Sequence, residues 1–309
     1  MATAAASVEL VPAPAGGAGT DARCVHLVAP TAAEVAQFAR DEGVPEELVR
    51  HALDPHERPR VHTVGGATLV VLRVPFERNN GIPYDTVPLG LLLTGDCVAT
   101  VCARDTDVVA RLRERANDLF PAGQQHRFVI RVLDVVAETY LAHLERIDRN
   151  VNRLEKGLRA SLENREVLKL LEHQKSLVHF AMALRSTELM LERLKRSPVL
   201  RVPEEDQALL EDVLVEFRQA IDVAAISSNI LGEMMDAFAS IIANNLNVVL
   251  KFLAGVTIVL TVPVTVASFY GMNVALPGAG SPNAFVWVLL VSMALSAVVA
   301  VLLRRRRWL

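Results

Sequence analysis

The sequence predicts an α+β domain, then a long helical stalk, then two membrane-spanning helices. Three observations predict it. Two runs near the C-terminus, Phe252–Tyr270 and Ala284–Leu303, hold no charged residue over 19 and 20 residues. From about residue 127 onward, apolar side chains recur at three- and four-residue spacings. Before that point, short apolar runs are separated by glycine-containing turn signals.

Residues 1–20 are rich in Ala, Pro and Gly, which predicts a disordered lead-in. They lack the basic start and continuous apolar core of a secretion signal. Residues 21–125 read as a cytoplasmic α/β domain. Cys24–Val28 is a strand candidate, and Ala32–Glu42 and Pro45–Ala52 read as helices, the second with acids in its first turn. His62–Phe76 splits into two strands around Gly65-Gly66, a hairpin signal. Val87–Leu93 and Cys97–Cys102 flank Thr94-Gly95-Asp96, a second hairpin signal, so the sheet is at least partly antiparallel.

Residues 126–250 read as a helical stalk. Arg127–Ser161 and Leu162–Ser197 are helices, with Val132, Val136, Tyr140, Leu144, Ile147 and Val151 on one face of the first. Pro198 and Pro203 bracket a turn, and no proline follows until Pro263. A single helix from about Glu204 to Phe269 is predicted, roughly 100 Å long. Residues 251–309 form the membrane region, with spans at 252–270 and 284–303 and a C-terminal tail.

A membrane helix needs about 20 apolar residues. Lys251 precedes the first span, and Arg304–Arg307 follow the second. Positive flanks favour the cytoplasmic side, which places both termini in the cytoplasm and a short loop outside, in an inner or plasma membrane. Residues 251–309 hold five basic side chains and no acid, so within a formal net charge of −3 the first 250 residues carry −8. That acidity argues against nucleic acid and is compatible with cations. The three cysteines, Cys24, Cys97 and Cys102, form no disulfide or zinc-ribbon pattern. With no phosphate loop and no nucleophile motif, the sequence predicts neither an enzyme nor a cofactor.

On a wheel of 100° per residue, Asp236, Ser240, Ala243, Asn247, Leu250, Ala254, Thr257, Thr261, Thr265 and Ser268 fall within about 100°. Four hydroxyl residues of an otherwise apolar span therefore share one face, continued below the membrane by Asn247 and Asp236. Hydroxyls in membrane helices also bond their own backbone and promote packing. If several subunits turn this face to one axis, it lines a pore. Two spans are too few to enclose such a path, so a ring of copies is required.

Tyr270-Gly271-Met272-Asn273 stands where the first span ends. Mg²⁺ dehydrates reluctantly, so a site for it offers oxygen acceptors to its waters. A ring of Asn273 amides does this without binding a dication too tightly to release it. Gly271 lets backbones turn or approach closely, and Met272 packs the turn.

A Gly-Met-Asn triplet between two C-terminal spans resembles the CorA-type family of divalent-cation channels and transporters. His56-Glu57-Arg58-Pro59-Arg60-Val61, followed by Leu69-Val70-Val71-Leu72-Arg73, also resembles that family's cytoplasmic domain. The resemblance implies a homopentameric funnel with the first span lining the pore. It makes Gly271, Met272 and Asn273 the outer selectivity site. Asn247 matches a polar ring, Leu250 and Ala254 a hydrophobic constriction, and Asp236 a deeper acidic ring. Asp212 matches a stalk acid of a regulatory Mg²⁺ site between subunits. Two positions depart from the pattern. Arg50 and His51 stand where a partner acid is expected, and Val274–Pro282 lacks the acids many relatives carry.

The function implied is passage of hydrated Mg²⁺, with Co²⁺ and Ni²⁺ as further candidates. Mg²⁺ is then the transported ion and a candidate regulatory one. The alternatives are a related zinc transporter, coupled to protons, and a non-conducting membrane adaptor.

Overall fold

The structure is a computed structural model that describes residues 7–11, 23–78, 81–95, 97–115, 124–160, 164–196, 201–272, 282–306 and 308. It divides into two compact units, Met1–Glu233 and Met234–Leu309.

In the first unit, β1 (Ser7–Val11) and β2 (Arg23–Val28) precede α1 (Ala32–Asp41) and α2 (Glu46–Leu53). Then come β3 (Arg60–Val64), β4 (Ala67–Glu77), β5 (Tyr84–Leu93), β6 (Cys97–Cys102) and α3 (Asp107–Glu114). Two long helices follow, α4 (Gln125–Ala160) and α5 (Asn164–Lys195). A 3₁₀ turn at Glu204–Asp206 leads into α6 (Gln207–Tyr270), which continues into the second unit. That unit also holds α7 (Ala284–Arg305).

The strands form one sheet in the order β1-β2-β6-β5-β4-β3. The pairings are antiparallel except β2 with β6. Both faces are covered. Leu69 and Val71 of β4 join Val35 and Phe38 of α1 and Leu48 and Val49 of α2 in one cluster. On the other face Tyr140 of α4 donates its hydroxyl to the carbonyl of Arg73 at 2.9 Å, and Ser176 of α5 accepts from the amide of Tyr84 at 3.1 Å. This double cover explains why β5 and β6 are almost wholly buried and read as continuous apolar runs.

The turns follow their chemistry. Gly65 and Gly66 both have positive φ, 60° and 86°, as a two-residue hairpin between right-twisted strands requires. Thr31 caps α1, its hydroxyl accepting from the amide of Glu34 while Glu34 bonds back to Thr31. Gly90 has a different reason. A Cβ there would collide with Ala52 Cβ of α2 and come within 3.1 Å of Leu69 Cδ1, so its absence lets α2 settle on the sheet.

The structure corrects one expectation and supplies one element. Residues 7–11, placed in a disordered lead-in, form the edge strand β1 antiparallel to β2. Its Ser-Val-Glu-Leu-Val alternates polar and apolar residues, and the Ala, Pro and Gly around it masked that signal. Helix α3 was not separately predicted. It is eight residues long and capped by Thr106, whose hydroxyl accepts from the amide of Val109 at 3.3 Å.

Candidate pore-lining site

The second unit carries the sequence-predicted stripe. Helix α6 is unbroken for 64 residues and carries Pro263 within it. Proline has no amide hydrogen, so the carbonyl one turn earlier loses its helical donor. Asp236, Ser240, Asn247, Leu250, Ala254, Thr257, Thr261, Thr265 and Ser268 all lie on this helix and are exposed.

Every hydroxyl of the stripe donates backward to its own helix. Thr257 donates to the carbonyl of Leu253 at 2.9 Å, Thr261 to Thr257 at 2.8 Å, and Thr265 to Thr261 at 2.9 Å. Ser268 donates to Val264 at 2.8 Å and Ser240 to Asp236 at 3.0 Å. Backbone bonding of this kind is common in membrane helices. It also fixes polarity: with the proton given to the backbone, each hydroxyl oxygen keeps its lone pairs and can act only as an acceptor toward any other group.

The opposite side of the span is the inward one. Gly255 is buried, and Val259, Val262 and Val266 are partly buried. This line lies about 120° around the helix from the centre of the hydroxyl stripe. On α7 the less exposed line is Val288, Ser292, Ser296, Val299 and Leu303, with Ser292 5% exposed. Small residues such as Gly255 and Ser292 at these places permit close helix approach. Most of the rest of both spans is apolar and exposed, including Phe252, Leu260, Trp287 and Leu290. Phe269, Tyr270, Phe285 and Trp287 cluster at one end of the spans and Trp308 stands at the other, as interfacial aromatics do.

At the end of α6, the amide of Gly271 donates to Ala267 at 2.9 Å and that of Met272 to Phe269 at 3.3 Å. Gly271 does not adopt left-handed backbone. A Cβ on it would make ordinary contacts, 3.4 Å from the Ala267 carbonyl and 3.5 Å from that of Ser268. Within one subunit, then, nothing at this position requires glycine. Met272 is exposed. Asn273 and the loop to Ser281 lie outside the described residues.

Asp212 belongs to the first unit. It is exposed on α6 and lines a cleft of about 320 Å³ with Asp134, Glu216, Arg127 and Arg131. Burial pushes the Asp134 carboxyl up, with Glu138 adding repulsion. Burial also raises Glu216, followed by the nearby charges of Asp134, Glu138 and Asp212. Among the described residues, no group of three or more His, Cys, Asp or Glu is arranged to hold a metal ion.

One feature of the stalk escaped the sequence reading. Asp206, 2% exposed, accepts from His126 at 2.8 Å and Arg127 at 2.7 Å, both on Oδ2. The Arg127 hydrogen bond holds the carboxyl below the usual range, burial opposing and His126 reinforcing. It ties the start of α6 to the start of α4 across 80 residues of sequence.

The sequence matches the CorA-like Mg²⁺ transporter protein family over residues 21–305. The chain belongs to that family. The cobalt/magnesium transport protein CorA of Thermotoga maritima is 23% identical over 274 residues, covering 86% of this chain and 77% of that protein. The complete CorA magnesium transporter of Methanocaldococcus jannaschii has the same fold. It matches with a TM-score of 0.80 at 24% identity, over 93% of this chain and 91% of that one. The full-length CmaX protein matches with a TM-score of 0.70 at 18% identity, covering 93% and 88%. The α+β domain, long helix and two apolar spans are thus the CorA architecture, and the chain is a membrane protein of a divalent-cation transporter family.

Proposed function

We propose that this protein conducts hydrated Mg²⁺ through a homopentameric pore lined by α6, with Co²⁺ and Ni²⁺ as further substrates. One observation carries the reading: the hydroxyl stripe is exposed, each hydroxyl gives its proton to the backbone one turn earlier and so keeps its oxygen as an acceptor, and the stripe stands well around the helix from the inward face. Turned to a common axis, it presents rings of oxygen acceptors to the protons of a hydrated dication. Mg²⁺ keeps its waters, so acceptors suit it better than direct carboxylate ligands.

Asn273, with Gly271 and Met272, forms the outer selectivity ring. The requirement for glycine at 271 arises between copies, where five helix ends converge. Inward of Ser268, Thr265, Thr261 and Thr257 come Ala254 and Leu250, an apolar collar that closes by dewetting. Asn247 and Asp236 then receive the ion on the cytoplasmic side. Both termini are cytoplasmic in the inner or plasma membrane, because Lys251 and Arg304–Arg307 flank the same ends of the two spans. Asp212, beside mutually repelling carboxyls, is the candidate for regulatory Mg²⁺ bridging neighbouring subunits. Moving two charges inward across ~100 mV is worth about 4.6 kcal/mol, which drives uptake without a nucleotide.

The test is flux of Mg²⁺, Co²⁺, Ni²⁺ and Zn²⁺ into liposomes holding the purified protein, with and without a pH gradient. Mg²⁺ uptake independent of the pH gradient is expected. Uptake of Zn²⁺ alone, dependent on protons, replaces this reading with a zinc transporter. No divalent flux replaces it with a non-conducting adaptor.

A further inference from the structure

Between the edge strand β3 and the C-terminal half of α5 lies a cleft of about 520 Å³. This is within the range of small-molecule sites, about 300–1,000 Å³. Its floor is apolar: Met190 and Leu194 are buried at 4% and 2% exposure, and Leu189 stands over them, 59% exposed. Three arginines line it and no acid does. Arg60 is engaged by Glu57 at 2.9 Å. The backbone amide of Arg58 donates to Glu57 at 3.2 Å, but the guanidinium groups of Arg58 and Arg193 meet no carboxylate among the described residues, so both remain available beside an apolar floor. This stands out because residues 1–250 carry a net charge of −8.

The hydroxyls of the cleft are already committed. Ser186 donates to the Met182 carbonyl at 2.7 Å, and Thr63 is within 3.0 Å of Thr68. An anion here therefore relies on the guanidiniums, whose paired N–H groups suit phosphate oxygens and whose flat faces stack on rings. Past Arg58 the cleft continues into a second hollow that contains the Asp85–His179 pair, 2.9 Å apart. In that hollow the Arg73 guanidinium is taken up by Thr86 and by the carbonyls of Pro55 and Glu57, and Asp85 is paired with His179, so the uncommitted guanidiniums are those of Arg58 and Arg193. A polynucleotide does not fit a hollow of this size and is repelled by the surrounding acidity.

We infer that this cleft binds a nucleoside phosphate, with phosphate on Arg58 and Arg193 and the apolar part over Leu189, Met190 and Leu194. Such a site gives the cytoplasmic unit a ligand distinct from the transported cation. Radiolabelled ATP in EDTA, equilibrated with the purified full-length protein in detergent, tests it, with adenosine and inorganic pyrophosphate as separate probes. Saturable ATP binding is expected, weakened roughly tenfold or more by Arg58→Ala and by Arg193→Ala. Partial recovery is expected in Arg193→Lys, and loss in Leu189→Glu, an exposed position whose change leaves the melting temperature in place. The inference is overturned by absence of saturable binding, as when a neighbouring copy fills the cleft. Equal affinity in wild type and the arginine variants overturns it too. So does pyrophosphate binding as tightly as ATP, because the apolar floor then contributes nothing. Cation flux is measured separately on the same purified protein reconstituted in liposomes without EDTA, so failure here leaves the transport reading separately decided.

Discussion

Thr261 combines two roles that one substitution removes together. Its exposed hydroxyl donates to the Thr257 carbonyl at 2.8 Å, and its oxygen keeps lone pairs to accept with. Thr261→Val keeps the shape and removes both. An apolar residue is at home in a membrane helix, so the oligomer should persist. The ion loses one ring of acceptors, about 1 kcal/mol, and Mg²⁺ uptake should fall about fivefold. Unchanged uptake would leave the stripe as a packing feature only. This stripe was legible in the sequence because helical periodicity alone fixes which residues share a face. The inward line through Gly255, Val259, Val262 and Val266 was not, since valines on every side of a membrane span look alike. Asp206 was equally illegible. An acid in a turn reads as solvent-exposed, and its partners His126 and Arg127 lie 80 and 79 residues away.

Among the elements, two packings are open to direct test. Gly90 of β5 sits where α2 touches the sheet, and Ala52 leaves no room for a side chain. Gly90→Ala should cost about 1–3 kcal/mol of stability through overpacking, and Gly90→Val more, read as a lowered melting temperature of the full chain. An unchanged melting temperature would mean that α2 is not held there. The Asp206 lock predicts a pH dependence. Its carboxyl is held below the ordinary value in the folded chain. The stability it contributes is therefore complete above the unfolded value of about 3.9 and lost as pH falls through the lower folded value. Wild type should melt above Asp206→Asn near neutral pH, and the gap should close below about pH 4. A gap that stays constant from neutral to acid pH would contradict the assignment. The sheet itself was largely readable, because Gly65-Gly66 and Thr94-Gly95-Asp96 punctuate apolar runs too long for single strands. Strand β1 was not, because its five residues are set in an Ala/Pro/Gly-rich stretch.

At the scale of the whole molecule, α6 continues from the first unit into the second as one helix of 64 residues, and its apolar span is almost entirely exposed. Exposed apolar faces on both spans meet lipid or neighbouring copies. The hydroxyl stripe, satisfied by its own backbone, is compatible with helix packing as well as with the proposed shared interior. Family membership was legible from a triplet and its position between two spans. The arrangement of copies was not, because a ring is a property of surfaces that one chain only presents in part. In the proposed pore, the Gly271-Met272-Asn273 ring crowns a cation path formed by the stripe. Mg²⁺ uptake by liposomes containing wild type or Asn273→Ala, each eluting as the same oligomer, tests it most directly. Selective uptake by wild type and its loss in Asn273→Ala is the predicted result, and equal uptake by the two proteins would contradict it.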